Sequence, residues 1–104
     1  MTTRIVALFN LKPGVSVEDY EAWARRVDLP TVNGLISIEK FEVFRCTGLL
    51  GSEARPPYAY LEIIDIADMT RFAADVGSEA MQKIAAEFQA MTADLVFITT
   101  EKLG

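Results

Sequence analysis

Apolar positions follow two different periods along this chain. Tyr20, Trp23, Ala24 and Val27 fall at i, i+3, i+4 and i+7, which lays one buried face along a helix. Ser16 stands where an N-cap is needed, with Asp19 three residues on as a weaker form of the capping box. Glu21 and Arg25 form an i,i+4 pair on the solvent side. Pro30 is expected to stop this helix, because its ring disfavours helical geometry in the preceding residue, and 31–34 are expected to be a loop. Ahead of the helix, residues 4–11 read as a strand with both faces mostly apolar, closed by a turn at Lys12-Pro13-Gly14.

Residues 35–47 read as a long strand rich in Ile, Phe and Val, and 58–66 as a third strand. Between them, 48–57 is a Gly- and Pro-bearing connection long enough to act as a flap. Asp68 can cap a helix with the apolar face Met69, Phe72, Ala73 and Val76, ending at Gly77. Ser78 can cap another, with Met81, Ile84, Ala85 and Phe88 at helical spacing, and 95–100 make a last strand. The order is β-α-β-β-α-β with the second helical region split at Gly77, the pattern of an α+β, ferredoxin-like fold with a four-stranded antiparallel sheet. Residues 1–104 form one domain, without linker, repeat or low-complexity run.

Helices in such a fold cover one face of the sheet, so the other face should be polar if it meets water. Here it is not: Val6 and Leu8 oppose Ile5, Ala7 and Phe9, and Val96 and Ile98 oppose Leu95 and Phe97. A homodimer packed sheet to sheet is the simplest closed solution. The hydrophobic share of 51%, high for a small monomer, points the same way.

Charge and composition then remove function classes. With 10 Lys+Arg against 15 Asp+Glu the net charge is −5, and no basic stripe offers a nucleic acid its phosphate contacts. No apolar run is long enough to span a bilayer, and 4–9 are too short for a signal-peptide core, so no membrane partner and a cytoplasmic location are expected. The single cysteine, Cys46, allows no internal disulfide and reads as an inert buried thiol. There is no histidine, which rules out Ser-His-Asp and Cys-His catalysis and removes the commonest metal ligand. No glycine-rich nucleotide cradle exists either; neither metal nor cofactor is expected.

If the second and third strands pair with Arg45 opposite Tyr60 and Val43 opposite Glu62, one face carries Ser37, Phe41, Val43, Arg45, Tyr58, Tyr60 and Glu62. Glu62 is a carboxylate in an apolar run. It reads either as half of a diagonal ion pair with Arg45 or as a buried general acid or base with a raised pKa. Arg45 and Tyr60 could stabilise developing negative charge. Tyr20 and Trp23 are explained by core packing, but would stack on a flat aromatic ligand if a cavity lies beneath them. Asp28, just before Leu29-Pro30, either ends the helix or faces a pocket, and Asn33 and Ser37 are candidate hydrogen-bonding groups.

The runs Asp19-Tyr20-Glu21-Ala22-Trp23 and Asp28-Leu29-Pro30-Thr31-Val32-Asn33, with Ser37-Ile38, Phe41 and Arg45, resemble the family of RedY-like proteins that includes HapK. Pro57-Tyr58-Ala59-Tyr60-Leu61-Glu62, Asp75-Val76-Gly77-Ser78-Glu79 with Met81-Gln82, and Phe97-Ile98-Thr99-Thr100 extend the resemblance over nearly the whole chain. It implies a dimeric α/β barrel of two ferredoxin-like protomers and a place in bacterial secondary metabolism. There it implies a cofactor-independent cyclase acting on pyrrole- or indole-type (prodiginine- or bisindole-like) intermediates. The pocket it implies, between sheet and helices, would hold Glu62, Asp28, Arg45 and Tyr60 as catalytic residues, and Tyr20, Trp23, Asn33 and Ser37 as groups binding a small aromatic or heteroaromatic ligand. A cofactor-free monooxygenase of the same fold and a non-catalytic ligand-binding or structural dimer are the alternatives.

Overall fold

The structure, a computed structural model, describes residues 2–104. It contains β1 (Thr3–Leu11), α1 (Val17–Trp23), a π-helical turn (Ala24–Asp28), α2 (Leu29–Asn33), β2 (Ile38–Arg45), β3 (Tyr60–Ile66), α3 (Met69–Val76), α4 (Glu79–Met91) and β4 (Thr92–Thr99). The strands form one sheet in the order β2-β3-β1-β4 with every neighbour antiparallel, the ferredoxin-like arrangement expected from the element order. Among the described residues no helix is long and apolar enough to cross a membrane.

Local chemistry sets the boundaries. Ser16, Asp68 and Ser78 each accept a hydrogen bond from the backbone N–H three residues on, so all three expected caps form. Pro13 and Gly14 occupy the corners of a turn closed by Val15 N–H to the Lys12 carbonyl at 3.1 Å, with Gly14 at φ 91°, where an L side chain would be strained. Gly77 separates α3 from α4, as the sequence indicated.

Pro30 does not stop the helix. The chain widens into the π-helical turn, with Leu29 N–H bonded back to the Ala24 carbonyl, and Pro30 then sits in the first turn of α2, where its missing N–H costs little. Residues 31–33, expected in a loop, are therefore helical.

The assumed hairpin register is the observed one: Arg45 pairs with Tyr60 and Val43 with Glu62. The strands are shorter than expected, and a Cys46 N–H to Ala59 carbonyl bond at 2.8 Å closes the base of the 48–57 connection. A bulge between Ile38 and Lys40 inserts one residue into β2. It brings Ile38 to the helix-covered side and puts Ser37 outside the strand, which corrects the face assigned to Ser37. A second irregularity, opposite Leu8–Asn10, places Asp94 at φ 57° in β4.

The helix-covered face carries Phe41, Val43 and Arg45 of β2, Tyr60, Glu62 and Ile64 of β3, Ile5, Ala7 and Phe9 of β1, and Phe97 of β4. The core beneath the helices divides into two clusters, one around Phe9, Tyr20, Trp23, Tyr60, Ile84 and Phe88, the other around Ile5, Val32, Ile38, Phe41 and Ile66. The bare face carries Val6, Leu8, Leu61, Ile63, Phe44, Val96 and Ile98 in neighbouring register, and the last three are exposed. The bare face thus carries the apolar patch that the alternation indicated, with the charged Arg4, Lys40, Glu42 and Asp65 beside it.

Candidate functional site

Glu62 projects from the centre of β3 onto the helix-covered face, flanked by Val43 on one side and Ala7 on the other. It is only 3% exposed, and its Oε2 has no hydrogen-bond partner among the described residues. Asp28 reaches the same place by a different route. In a regular helix each residue turns by about 100°, so Val27, seven residues after Tyr20, would lie beneath it. The π-helical turn inserts one residue and rotates Asp28 into that position: Asp28 is 4% exposed, whereas Val27 is only half-buried.

Asp28 and Glu62 line one cavity of about 150 Å³. Its other walls are apolar: Val32 of α2, Phe41 of β2, Ile64 of β3, Phe72 of α3, Met81, Ile84, Ala85 and Phe88 of α4, and Phe97 of β4, which is 56% exposed at the rim. The walls draw on both core clusters. Loss of water pushes the Asp28 carboxyl up to about 7. Loss of water, and secondarily the Asp28 charge, pushes Glu62 up to about 8. The Tyr20 hydroxyl is likewise buried without a hydrogen-bond partner, and it is held in its neutral form by burial and then by the charges of Glu62 and Asp28. Buried polar atoms left without partners are uncommon and mark places where a ligand could supply the missing contact.

Arg45 does not pair with Glu62. Its guanidinium instead makes two bonds to Glu21, at 2.7 and 2.9 Å, and the Tyr60 hydroxyl donates to the same carboxylate at 2.8 Å. Arg25 adds a contact at 3.3 Å. Hydrogen bonding from Arg45 foremost pulls Glu21 down to about 2, and burial followed by the bond to Glu21 pushes Tyr60 up to about 12. These side chains, with Tyr20, line a separate cleft of about 290 Å³ between α1 and the β2–β3 ribbon. The diagonal ion pair does not form because Glu21 of α1 engages the Arg45 guanidinium through both of these bonds.

The structure therefore brings Glu62 and Asp28 together, with Tyr20 beside them, and places Arg45 and Tyr60 in the neighbouring cleft. Tyr20, Trp23, Asn33 and Ser37 lie outside the cavity lining, Tyr20 in the wall of the neighbouring cleft. The Trp23 indole N–H donates to Glu87 at 2.7 Å and ties α1 to α4. Asn33 donates to the Leu29 and Phe41 carbonyls at 2.9 and 3.0 Å and accepts the Phe41 N–H at 2.9 Å, clamping α2 to β2. The Ser37 hydroxyl donates to Asp75 at 2.6 Å. Glu21 was missed in the sequence, where its i,i+4 partner Arg25 accounted for it; its position beside Tyr20, on the flank of α1 nearest β2, was the available signal.

No curated protein matches the sequence. Among solved structures, HapK from Hahella chejuensis is 29% identical, with a TM-score of 0.80 over 100% of this chain and 94% of that one. The protein At3g17210 from Arabidopsis thaliana is 17% identical, with a TM-score of 0.80 over 98% and 96% of the two chains. A dimeric ferredoxin-like protein of unknown function from Thermobifida fusca is 19% identical, with a TM-score of 0.77 over 98% and 92%. These last two share the fold. Residues 3–103 match the family described as REDY-like protein HapK, and to that family this chain belongs.

Proposed function

We propose that the protein is a cofactor-independent cyclase of bacterial secondary metabolism, acting on a pyrrole- or indole-type intermediate in the cavity between the sheet and the π-helical turn, α2 and α4. The observation that carries this reading is the pair of buried carboxyls, Glu62 and Asp28, in an otherwise apolar cavity. Two carboxyls whose pKa values are lifted to near neutrality can each exchange a proton at working pH. Ring closure by isomerisation needs one proton given at one end of a conjugated system and one removed at the other. Glu62, the more strongly protonated, is the acid; Asp28 is the base. The apolar walls hold the reacting ring in the orientation that closes.

Arg45 and Tyr60 act at one remove, by fixing Glu21 and with it the helix that carries Tyr20 and Asp28. Trp23 and Asn33 hold the walls: Trp23 anchors α4, Asn33 anchors Phe41. The functional unit is a homodimer joined through the bare, apolar face of the sheet. The dimeric description of the relative from Thermobifida fusca supports this assembly.

The test is to incubate the protein with a panel of linear bisindoles and oligopyrroles and follow products by mass and absorbance. The expected product has the substrate's mass and a changed spectrum, and Glu62→Gln and Asp28→Asn each slow its formation by 100-fold or more, on the order of the usual share of one acid or base. Turnover untouched in both variants refutes the acid–base assignment. One oxygen consumed per product, read on an oxygen electrode, would make the protein a monooxygenase instead.

A further inference from the structure

The cavity is built for a group of one charge. The ionisable groups on its lining are both acidic, Asp28 from the π-helical turn and Glu62 from β3. The Tyr20 hydroxyl of α1 is the third polar group near them. What β2, α3, α4 and β4 turn toward the cavity is apolar: Phe41, Phe72, Ile84, Phe88 and Phe97 among others, with no lysine or arginine. Arg25 and Arg45 are held by Glu21 in the adjoining cleft. One oxygen of Glu62 still has nothing to bond. At about 150 Å³ the space matches cavities that admit a single six-membered ring.

We propose that this cavity takes one nitrogen heteroaromatic ring in its protonated, cationic form, seated as the missing counter-ion between Asp28 and Glu62 with a ring N–H donating to Glu62 Oε2. The proposal rests on reading the cavity as the substrate site, and it names the charge state of the group held there. A neutral ring leaves the two carboxyls to repel each other or to retain a proton between them; an anion adds a third negative group. A cation satisfies both, and the pair then gives up to solvent a proton it held before. Burial, which keeps both carboxyls protonated to unusually high pH, is consistent with that exchange. The same ion pair arises during the proposed cyclisation. Glu62 transfers its proton to a ring carbon, a ring π pair forms the new C–H bond, and the products are a ring cation and the Glu62 carboxylate. The cavity thus complements the charge that develops on reaction rather than the neutral substrate.

Three single-ring probes separate the possibilities: 4-methylimidazole, which becomes cationic; 2-methylpyrrole, a neutral N–H donor; and pyrrole-2-carboxylate, an anion. Binding at slightly acid pH is followed by the methyl NMR signals of Ile64 and Ile84, and by calorimetry in two buffers of different ionisation enthalpy. The expected result is 4-methylimidazole binding at least about tenfold more tightly than 2-methylpyrrole, as charge-assisted hydrogen bonds exceed neutral ones, with proton release and no binding of the carboxylate. Glu62→Gln and Asp28→Asn should each abolish that preference. Pyrrole binding as tight as imidazole, without proton release, overturns the charge-state proposal and leaves the substrate cavity standing. If no probe shifts either isoleucine up to millimolar concentration, the substrate-site reading itself fails. Imidazole binding that is unchanged in both variants places it elsewhere and overturns the proposal.

Discussion

Replacing Glu62 by glutamine should stabilise the unliganded protein above neutral pH, and the size of the effect follows from burial. Glu62 has an ordinary carboxylate's pKa of 4.5 when unfolded and about 8 when folded. The folded state therefore holds the proton more tightly. The stability this gives is full below about pH 4.5 and is lost as pH rises toward about 8. At about 1.4 kcal/mol per unit the ceiling on that loss is about 5 kcal/mol. Water entering the cavity relieves part of the cost of a buried charge, so about 3 kcal/mol is expected between pH 5 and pH 9. That is a large share of the roughly 5–15 kcal/mol available to a domain of this size. Asp28, raised to about 7 for the same reason, adds to the slope in the same direction. Glu21 and Asp65 have lowered pKa values and act at more acid pH, outside this window. The assay is urea unfolding at fixed protein concentration, at pH 5 and pH 9, on wild type, Glu62→Gln, and the double variant with Asp28→Asn. Wild type should lose stability with rising pH, the single variant less, and the double variant almost none. A flat wild-type profile, or a full slope retained in the double variant, would refute the buried pair as the source of the penalty.

The opposite pH signature belongs to Glu21. Because its pKa is lowered to about 2, its stabilisation is present above about pH 4.5 and disappears as pH falls through about 2. Glu21→Gln should cost about 1.5–3 kcal/mol at neutral pH, the range for hydrogen bonds to charged groups, and acid titration followed by circular dichroism should show the gap closing near pH 2. On the bare face, Leu8→Lys puts a charge between Leu61 and Val96, in the centre of the apolar patch. Light scattering should then report a monomer with its helical circular dichroism intact, and a persisting dimer would place the interface elsewhere. Pro30→Ala restores an N–H and removes the ring that disfavours a regular turn at this point. The Asp28 carboxyl signal should then titrate nearer the ordinary range; an unchanged titration would show that core packing alone holds the turn.

The fold was legible because its signals are local and redundant. Three caps, at Ser16, Asp68 and Ser78, formed where a hydroxyl or carboxylate preceded an amphipathic run, and the second helical region broke at Gly77, just before the Ser78 cap. The Arg45–Tyr60 register was legible because a slip of one residue would have turned Glu62 to the bare face and Leu61 inward. The Arg45–Glu62 pair, by contrast, rested on sheet neighbours alone. It ignored the helix packed above, from which Glu21 reaches Arg45 at 2.7 Å. Competition between layers is a tertiary fact, and no spacing along one strand encodes it.

What the sequence hid most completely is a set of local irregularities: the π-helical turn before Leu29, the bulge at Ile38–Lys40 and the irregular register beside Asp94. An extra residue changes the face presented by everything after it, so a periodic reading that is correct on one side of it is wrong on the other. At Ser37 this exchanged a pocket residue for a strut to Asp75. At Asp28 it did the reverse. A regular helix would set Val27 against the core and leave a carboxylate turned partly away, which is the better arrangement for stability alone. The chain instead widens its helix, accepts Pro30 in the next turn, and buries Asp28 within reach of the Glu62 charge. Two acids with elevated pKa values in one apolar cavity oppose folding at neutral pH, and packing offers no compensation that a valine would not improve. A local irregularity that makes the fold worse while assembling a reactive pair is best explained by the chemistry of that pair.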